Sequence, residues 1–334
     1  MNLQTRINAF TKLGSFLSKD IFFENKIQLQ AATANNPWFT KENIAKALNA
    51  WHMQLNKESL SAWINPYKLE EVSVRKRVLI IMAGNIPLVG FHDFLSVLIS
   101  GHNVVIKLSS DDNIILHIII RKLFVIAKDF RNRIEFVGDI KDKSFDAVIA
   151  TGSDSSAKYF EYYFKHAKKI IRKNRRSIAI LDGSETKKQL EGLAVDVFAF
   201  FGLGCRNVSK IFIPNEFDLN RLFEVFFKYS YVAEHKKYCN NYDYYKTISL
   251  MNNDDLVENG FLLMKEDTSL FSPVSMLYYQ YYDDIEYVNR YVEQNNDLLQ
   301  CIVSEKGVQF GSTQEPSLWD YADGVDSIDF LKQL

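Results

Sequence analysis

A chain of 334 residues, 47% hydrophobic and 24% charged, has enough apolar surface for one large or two medium domains, and its formal net charge of −1 supplies no global field for nucleic acid. Cys205, Cys239 and Cys301 are widely spaced and form no CxxC pair, which argues against a disulfide framework or a metal site and for a reducing compartment. No apolar run reaches the roughly 20 residues of a membrane helix, and Met1 to Ser18 lacks the continuous apolar segment of a signal peptide. A cytoplasmic protein without stable membrane insertion is expected.

Residues 1–68 read as a helical lead-in, with Thr40 placed to cap a helix carrying Ile44, Ala45 and Leu48. From Val72 the pattern changes. Val78-Leu79-Ile80-Ile81-Met82 is a continuous apolar run, which suits a strand buried on both faces. It ends in Ala83-Gly84-Asn85-Ile86-Pro87, and a helix follows with Gly101 as its C-cap. Asn103 to Lys107 is a second such strand, and Asp111 and Asp112 are placed to cap a helix running to about Phe130. Ile134 to Val137 and Asp146 to Ala150 read as further strands, the latter turning through Thr151-Gly152-Ser153 into a helix. This alternation is that of a parallel α/β sheet, in which ligands bind at the carboxyl ends of the strands. Three candidate functional turns lie at such ends: Gly84-Asn85, Lys107-Leu108-Ser109 and Thr151-Gly152-Ser153.

Apolar runs at Lys169 to Ile171 and Ser177 to Leu181 come next, then an amphipathic helix over residues 185–201 that delivers the chain to Gly202-Leu203-Gly204-Cys205. Glycines before a cysteine allow a sharp turn that presents the thiol to a cleft, although a buried free cysteine is the commoner arrangement. Arg206 is a candidate cationic neighbour. Asp218 is placed to cap one later helix, and Asp283-Asp284 another that carries Ile285, Val288 and Val292. Strands are expected at Pro273 to Tyr278 and Leu298 to Val303, the latter holding Cys301. The aromatic and polar segment from His235 to Tyr245 has no clear period.

In their order along the chain, several fragments give a resemblance that covers roughly residues 70–334. Ala83-Gly84-Asn85-Ile86-Pro87, Gly101-His102-Asn103-Val104-Val105-Ile106-Lys107-Leu108-Ser109, Ala150-Thr151-Gly152-Ser153, Gly202-Leu203-Gly204-Cys205 and Leu270-Phe271-Ser272-Pro273-Val274 are similar to segments of the aldehyde dehydrogenase superfamily. The tail from Gln314 to Asp326 resembles the acyl-CoA reductases of the LuxC type.

The resemblance implies a Rossmann-type cofactor domain over 69–183, a smaller α/β catalytic domain over 184–305, and a tail over 306–334 that returns to the cofactor domain. It implies that Cys205 is the nucleophile and that Asn85 helps to hold the oxyanion. Lys107, Ser109, Thr151, Gly152 and Ser153 are the implied cofactor-binding residues. The activity implied is reduction of an acyl-CoA to an aldehyde, with NADPH as cofactor and NADH also admissible. An acyl-transferring partner protein and a homo-oligomer are compatible with it, and the shortness of the chain implies a reduced oligomerisation arm.

Three departures from the superfamily pattern matter. Where aldehyde-oxidising members carry a glutamate for the hydrolytic water, the chain reads Ile180-Leu181-Asp182-Gly183, which favours thioester chemistry over hydrolysis. Ser269 replaces an acidic ribose contact, and Leu203 replaces the glutamine before the cysteine. Each site residue also has a plain structural explanation: Asn85 as a turn residue, Lys107 as a solvated lysine, Ser153 as a helix cap. His235 is a candidate proton shuttle, with a local partner the usual alternative. Two other functions remain compatible with the sequence, reduction of an acyl phosphate and a nucleotide-binding scaffold that partners an acyltransferase or synthetase.

Overall fold

A computed structural model describes residues 1–141 and 143–334. The chain divides into two compact units, residues 1–174 with 317–334, and residues 175–316.

The first unit opens with five helices, α1 (Leu3–Phe16), α2 (Lys19–Glu24), α3 (Lys26–Asn35), α4 (Lys41–Gln54) and α5 (Lys57–Ile64). Thr40 caps α4 as expected, its hydroxyl accepting from the Asn43 N–H at 3.2 Å. The sheet that follows is built from β1 (Arg77–Ile81), β2 (Asn103–Lys107), β3 (Ile134–Phe136), β4 (Ala147–Thr151) and β5 (Lys168–Arg172), in the order β3-β2-β1-β4-β5. Every pairing in it is parallel. Helices α6 (Phe91–Ser100), α7 (Ile115–Ile126) and α8 (Asp154–Tyr163) connect the strands, and Gly101 closes α6 with a left-handed φ of 100°.

Both faces of the central strands β1, β2 and β4 are buried, which is why these strands read as apolar runs. Val78, Ile80, Val104, Ile106 and Ile149 pack into the core with α1, α6 and α7, while Leu79, Ile81, Val105, Val148 and Ala150 face a second cluster with Val137, Ile140 and Phe164. The sequence expectation of a helix capped by Asp111 and Asp112 and running to Phe130 is corrected. A 3₁₀ turn covers Ser110–Asp112, α7 begins at Ile115 and ends at Ile126, and another 3₁₀ turn covers Lys128–Asn132.

The second unit holds β6 (Arg176–Ile180), α9 (Lys187–Phe198), β7 (Val208–Pro214), α10 (Asn220–Phe226), α11 (Lys236–Met251), β8 (Leu256–Glu258), β9 (Leu263–Glu266), β10 (Met276–Tyr282), α12 (Ile285–Gln294) and β11 (Leu299–Val303). Its sheet runs β11-β6-β7-β10-β9-β8, parallel except for β8 against β9. The boundary expected at 183/184 falls at 174/175, because β5 and β6 belong to different sheets although only three residues separate them. The unplaced aromatic segment lies in α11.

In the first unit the tail adds α13 (Ser327–Lys332). Tyr321 accepts from Trp63 Nε1 at 2.7 Å and lies 2.7 Å from the Tyr67 hydroxyl, which donates to Asp326 at 2.5 Å. The buried Arg172–Asp93 pair, at 2.7 Å, is joined by Ser327 and the Ala322 carbonyl.

Candidate active site

In the second unit the helix leading to the cysteine ends earlier than its sequence suggests. After α9 the chain makes a left-handed turn, with φ of 51°, 57° and 75° at Phe200, Phe201 and Gly202. Bulky residues rarely adopt this region. Here both phenylalanines are buried, and the Phe201 ring packs on His235 at 4.4 Å. Burial of the two rings offsets the backbone strain.

Cys205 sits in the tight turn that follows, exposed, just before β7. Asn207 organises this turn. It is 1% exposed, its Oδ1 accepts from the Gly204 N–H at 2.8 Å, and its Nδ2 donates to the carbonyls of Asp196 and Ala199 at 2.9 and 2.8 Å. One amide therefore satisfies carbonyls left over at the end of α9 and fixes the backbone on both sides of the thiol. The buried Asp196 carboxylate anchors α9 in turn, accepting from the backbone N–H groups of Gly311 and Thr313 and from the Thr313 hydroxyl.

Two residues at the start of β6 complete the surroundings of Cys205. Ser177 donates to the Cys205 carbonyl at 3.0 Å, and its hydroxyl lies 2.9 Å from Cys301 Sγ. Arg176 Nη1 donates to the Gly204 carbonyl at 3.4 Å, and its Nε is buried with no hydrogen-bond partner. Burial pushes the Arg176 guanidinium below its usual range, and the nearby Cys205 sulfur opposes that shift. Sequence reasoning missed both residues. They lie some 28 positions upstream and reach the cysteine only because Ser177 pairs with Val208 in the sheet.

Asp182, inside the segment compared with the missing glutamate, accepts from the Ser184 N–H and hydroxyl at 2.8 and 2.7 Å, and the buried carboxylate of the same loop is Glu185. It accepts from the N–H groups of Asp182 and Gly183 at 2.6 and 3.2 Å, in the loop after the C-terminal end of β6, whereas Ser177 and Cys205 are at the opposite end of that strand. Lys210 is buried in β7. Its ammonium donates to the carbonyls of Asp267 and of Ser269, the latter at 3.4 Å, and desolvation lowers its pKa to about 8. It thereby ties the strand after the nucleophile to the loop holding Ser269. His235 caps α11 through Nδ1, which accepts from the Tyr238 N–H at 3.3 Å. Cys301 is half-buried in β11 rather than fully buried, and Arg206 is half-buried beside Cys205.

In the first unit a cavity of about 740 Å³ opens at the carboxyl ends of β1 to β4. Its lining includes Lys107, Ser109, Thr151 and Gly152, so four of the five implied cofactor residues share one wall. The fifth, Ser153, caps α8 by accepting from the Ser156 N–H at 3.3 Å, and Ser156 lines the cavity. A Cβ at Gly152 would lie 2.8 Å from the Ser156 Cβ, so a bare backbone is needed there. The His117 and Phe136 rings pack at 4.0 Å in the wall, a pair without a sequence signal. No aspartate or glutamate is among the described lining residues. Asn85 is exposed at the tip of the turn after β1. Among the described residues no group of His, Cys, Asp or Glu could hold a metal ion, and no helix is long and apolar enough to cross a membrane.

The profile of a family described as acyl-CoA reductase (LuxC) matches residues 23–310. The chain belongs to the LuxC acyl-CoA reductase family. The match begins inside the helical lead-in, well before the resemblance legible in the sequence, and stops before the segment from Gln314 to Asp326.

Solved aldehyde dehydrogenases share the fold. Aldehyde dehydrogenase 21 from Physcomitrella patens, in complex with succinate, is 13% identical, with 92% of this chain and 74% of that one covered at a TM-score of 0.65. An indole-3-acetaldehyde dehydrogenase complexed with NAD+ is 12% identical, with 92% and 73% covered at 0.66. An NAD-dependent aldehyde dehydrogenase from Sinorhizobium meliloti is 13% identical, with 96% and 72% covered at 0.65. The search of curated proteins gave no match. This LuxC-family chain is thus an α/β oxidoreductase with an aldehyde dehydrogenase-like fold.

Proposed function

We propose that this family member reduces an acyl-CoA thioester to an aldehyde through an acyl-enzyme on Cys205. The observation that carries the reading is the exposed thiol on a turn fixed by Asn207 and Ser177 beside the half-buried Arg176. A neighbouring guanidinium favours the thiolate, which is the reactive form of cysteine. The thiolate attacks the acyl carbonyl, CoA leaves as its own thiolate, and one thioester replaces another at little net cost. Asn85 is assigned the oxyanion role by the resemblance. Asp182 and Glu185, the carboxylates nearest in sequence to the place of the missing glutamate, are held in the loop after β6, at the opposite end of that strand from Ser177, so neither is set to activate a hydrolytic water at the thiol.

The cavity at the ends of β1 to β4 fits a dinucleotide in size and position. Lys107 and the hydroxyls of Ser109 and Thr151 would hold its ribose and phosphates, Gly152 would allow close backbone approach, and His117 and Phe136 offer ring faces to a base. A lysine in a wall free of carboxylates suits the extra phosphate of NADPH, with NADH still admissible. A nicotinamide cofactor held by these residues would supply the hydride for the acyl group. The Cys205 thiolate is then expelled as the aldehyde forms.

Purified protein given an acyl-CoA and NADPH should release CoA and aldehyde, and Cys205→Ala should reduce aldehyde release to background while the thermal midpoint stays unchanged. Aldehyde formation by Cys205→Ala near the original rate would refute the acyl-enzyme.

A further inference from the structure

The turn that carries Asn85 is held from behind by a buried carboxylate. Asp112 is 8% exposed, and its Oδ2 accepts from the Leu88 N–H at 2.8 Å. Leu88 has φ of 63°, a left-handed backbone that a branched side chain adopts only when its surroundings impose it. The other Asp112 oxygen, Oδ1, is buried without a hydrogen-bond partner.

The loops after β1 and β2 are also in close contact. A Cβ on Gly84 would lie 2.7 Å from the Ser109 hydroxyl and 3.0 Å from the Asp111 Cβ. On the other side Asn36 Nδ2 donates to the Gly84 carbonyl at 3.3 Å. The Asn85 turn is thus pinned at Gly84 by sterics and Asn36, and at Leu88 by Asp112. A buried acid with one unmet oxygen is costly to keep. The residue is not needed as a helix cap, since α7 begins three positions later.

We propose that Asp112 is a positioning residue that fixes the Asn85 turn, and with it the Asn85 side chain, in its working geometry. This rests on the reading of Asn85 as the oxyanion donor. Misplacement of such a group by about 1 Å can cost about 10²-fold in rate.

A double-mutant cycle on the single-turnover rate of Cys205 acylation by an acyl-CoA, followed by CoA release, tests the proposal. Asn85→Ala should slow acylation by about 10²-fold, and Asp112→Ala by about 10-fold or more. The double variant should be no slower than Asn85→Ala alone. Asp112→Asn keeps an oxygen acceptor for Leu88 and should stay within about threefold of the original rate. NADPH affinity, read by fluorescence titration, should not change across the Asp112 variants. Should Asp112→Ala fail to fold, Asp112→Ser, which is too short to reach Leu88, carries the same expectation.

Slowing factors that multiply in the double variant would overturn the positioning role, and so would an unaltered rate in Asp112→Ala. A normal rate in Asn85→Ala is a different failure, because it removes the oxyanion reading itself.

Discussion

The turns after β1 and before β7 are both held by a buried polar side chain, but the two anchors differ in kind. Asn207 is neutral, and both ends of its amide are used. Asp112 is ionisable, with one oxygen bound and the other unmet, and desolvation raises its pKa to about 6. The first is a satisfied network, which adds stability. The second is held at a cost to stability, a pattern associated with function rather than folding. Substituting the anchors should therefore move stability in opposite directions.

The larger effect is expected at Asn207. Asn207→Ala leaves the Gly204 N–H and the carbonyls at the end of α9 without their partner, and should destabilise the protein by about 2–4 kcal/mol. Chemical denaturation measures this. An unchanged midpoint would show that the turn has another anchor.

At Asp112 the sign reverses. Its pKa is about 6 in the folded protein against 3.8 for the free group, so the folded state binds more protons between those values. Stability attributable to this group is highest below pH 3.8 and falls as pH rises to 6, by about 3 kcal/mol in all. Asp112→Asn escapes that cost but buries an unmet amide N–H. It should be more stable than the original protein by about 1–2 kcal/mol at pH 7, and the advantage should vanish near pH 4. An advantage independent of pH would show that Asp112 is not a buried, titrating carboxylate.

Arg176 is the smallest test and sharpens the comparison from the other side. Arg176→Gln should raise the apparent pKa of Cys205 alkylation by about one unit, equivalent to about 1.4 kcal/mol. Iodoacetamide reaction rates across pH read this directly. An unaltered profile would leave the thiolate without help from Arg176.

The same contrast explains what the sequence discloses. Lys107, Ser109, Thr151 and Gly152 share a cavity wall because each ends or follows a strand buried on both faces, and such strands stand out as apolar runs. Cys205 and its glycines were legible as a turn for the same local reason.

What was not legible depends on distant pairing. β5 and β6 look alike in sequence, and nothing local says that they enter different sheets. Arg176 and Ser177 meet the cysteine through the register of β6 on β7. The left-handed turn at Phe200 and Phe201 runs against the preference of both residues and exists because their rings are buried. Asp112 has the sequence of a helix cap, and tertiary packing turns it inward to Leu88 instead.

The most direct test is to incubate the protein with a panel of acyl-CoA thioesters in the absence of reductant and measure its intact mass. An acyl adduct mapped to Cys205, discharged as aldehyde when NADPH or NADH is added, is the expected result, and it would also rank acyl chains. A thiol that reacts with small alkylating agents but takes no acyl group from any thioester would contradict the account.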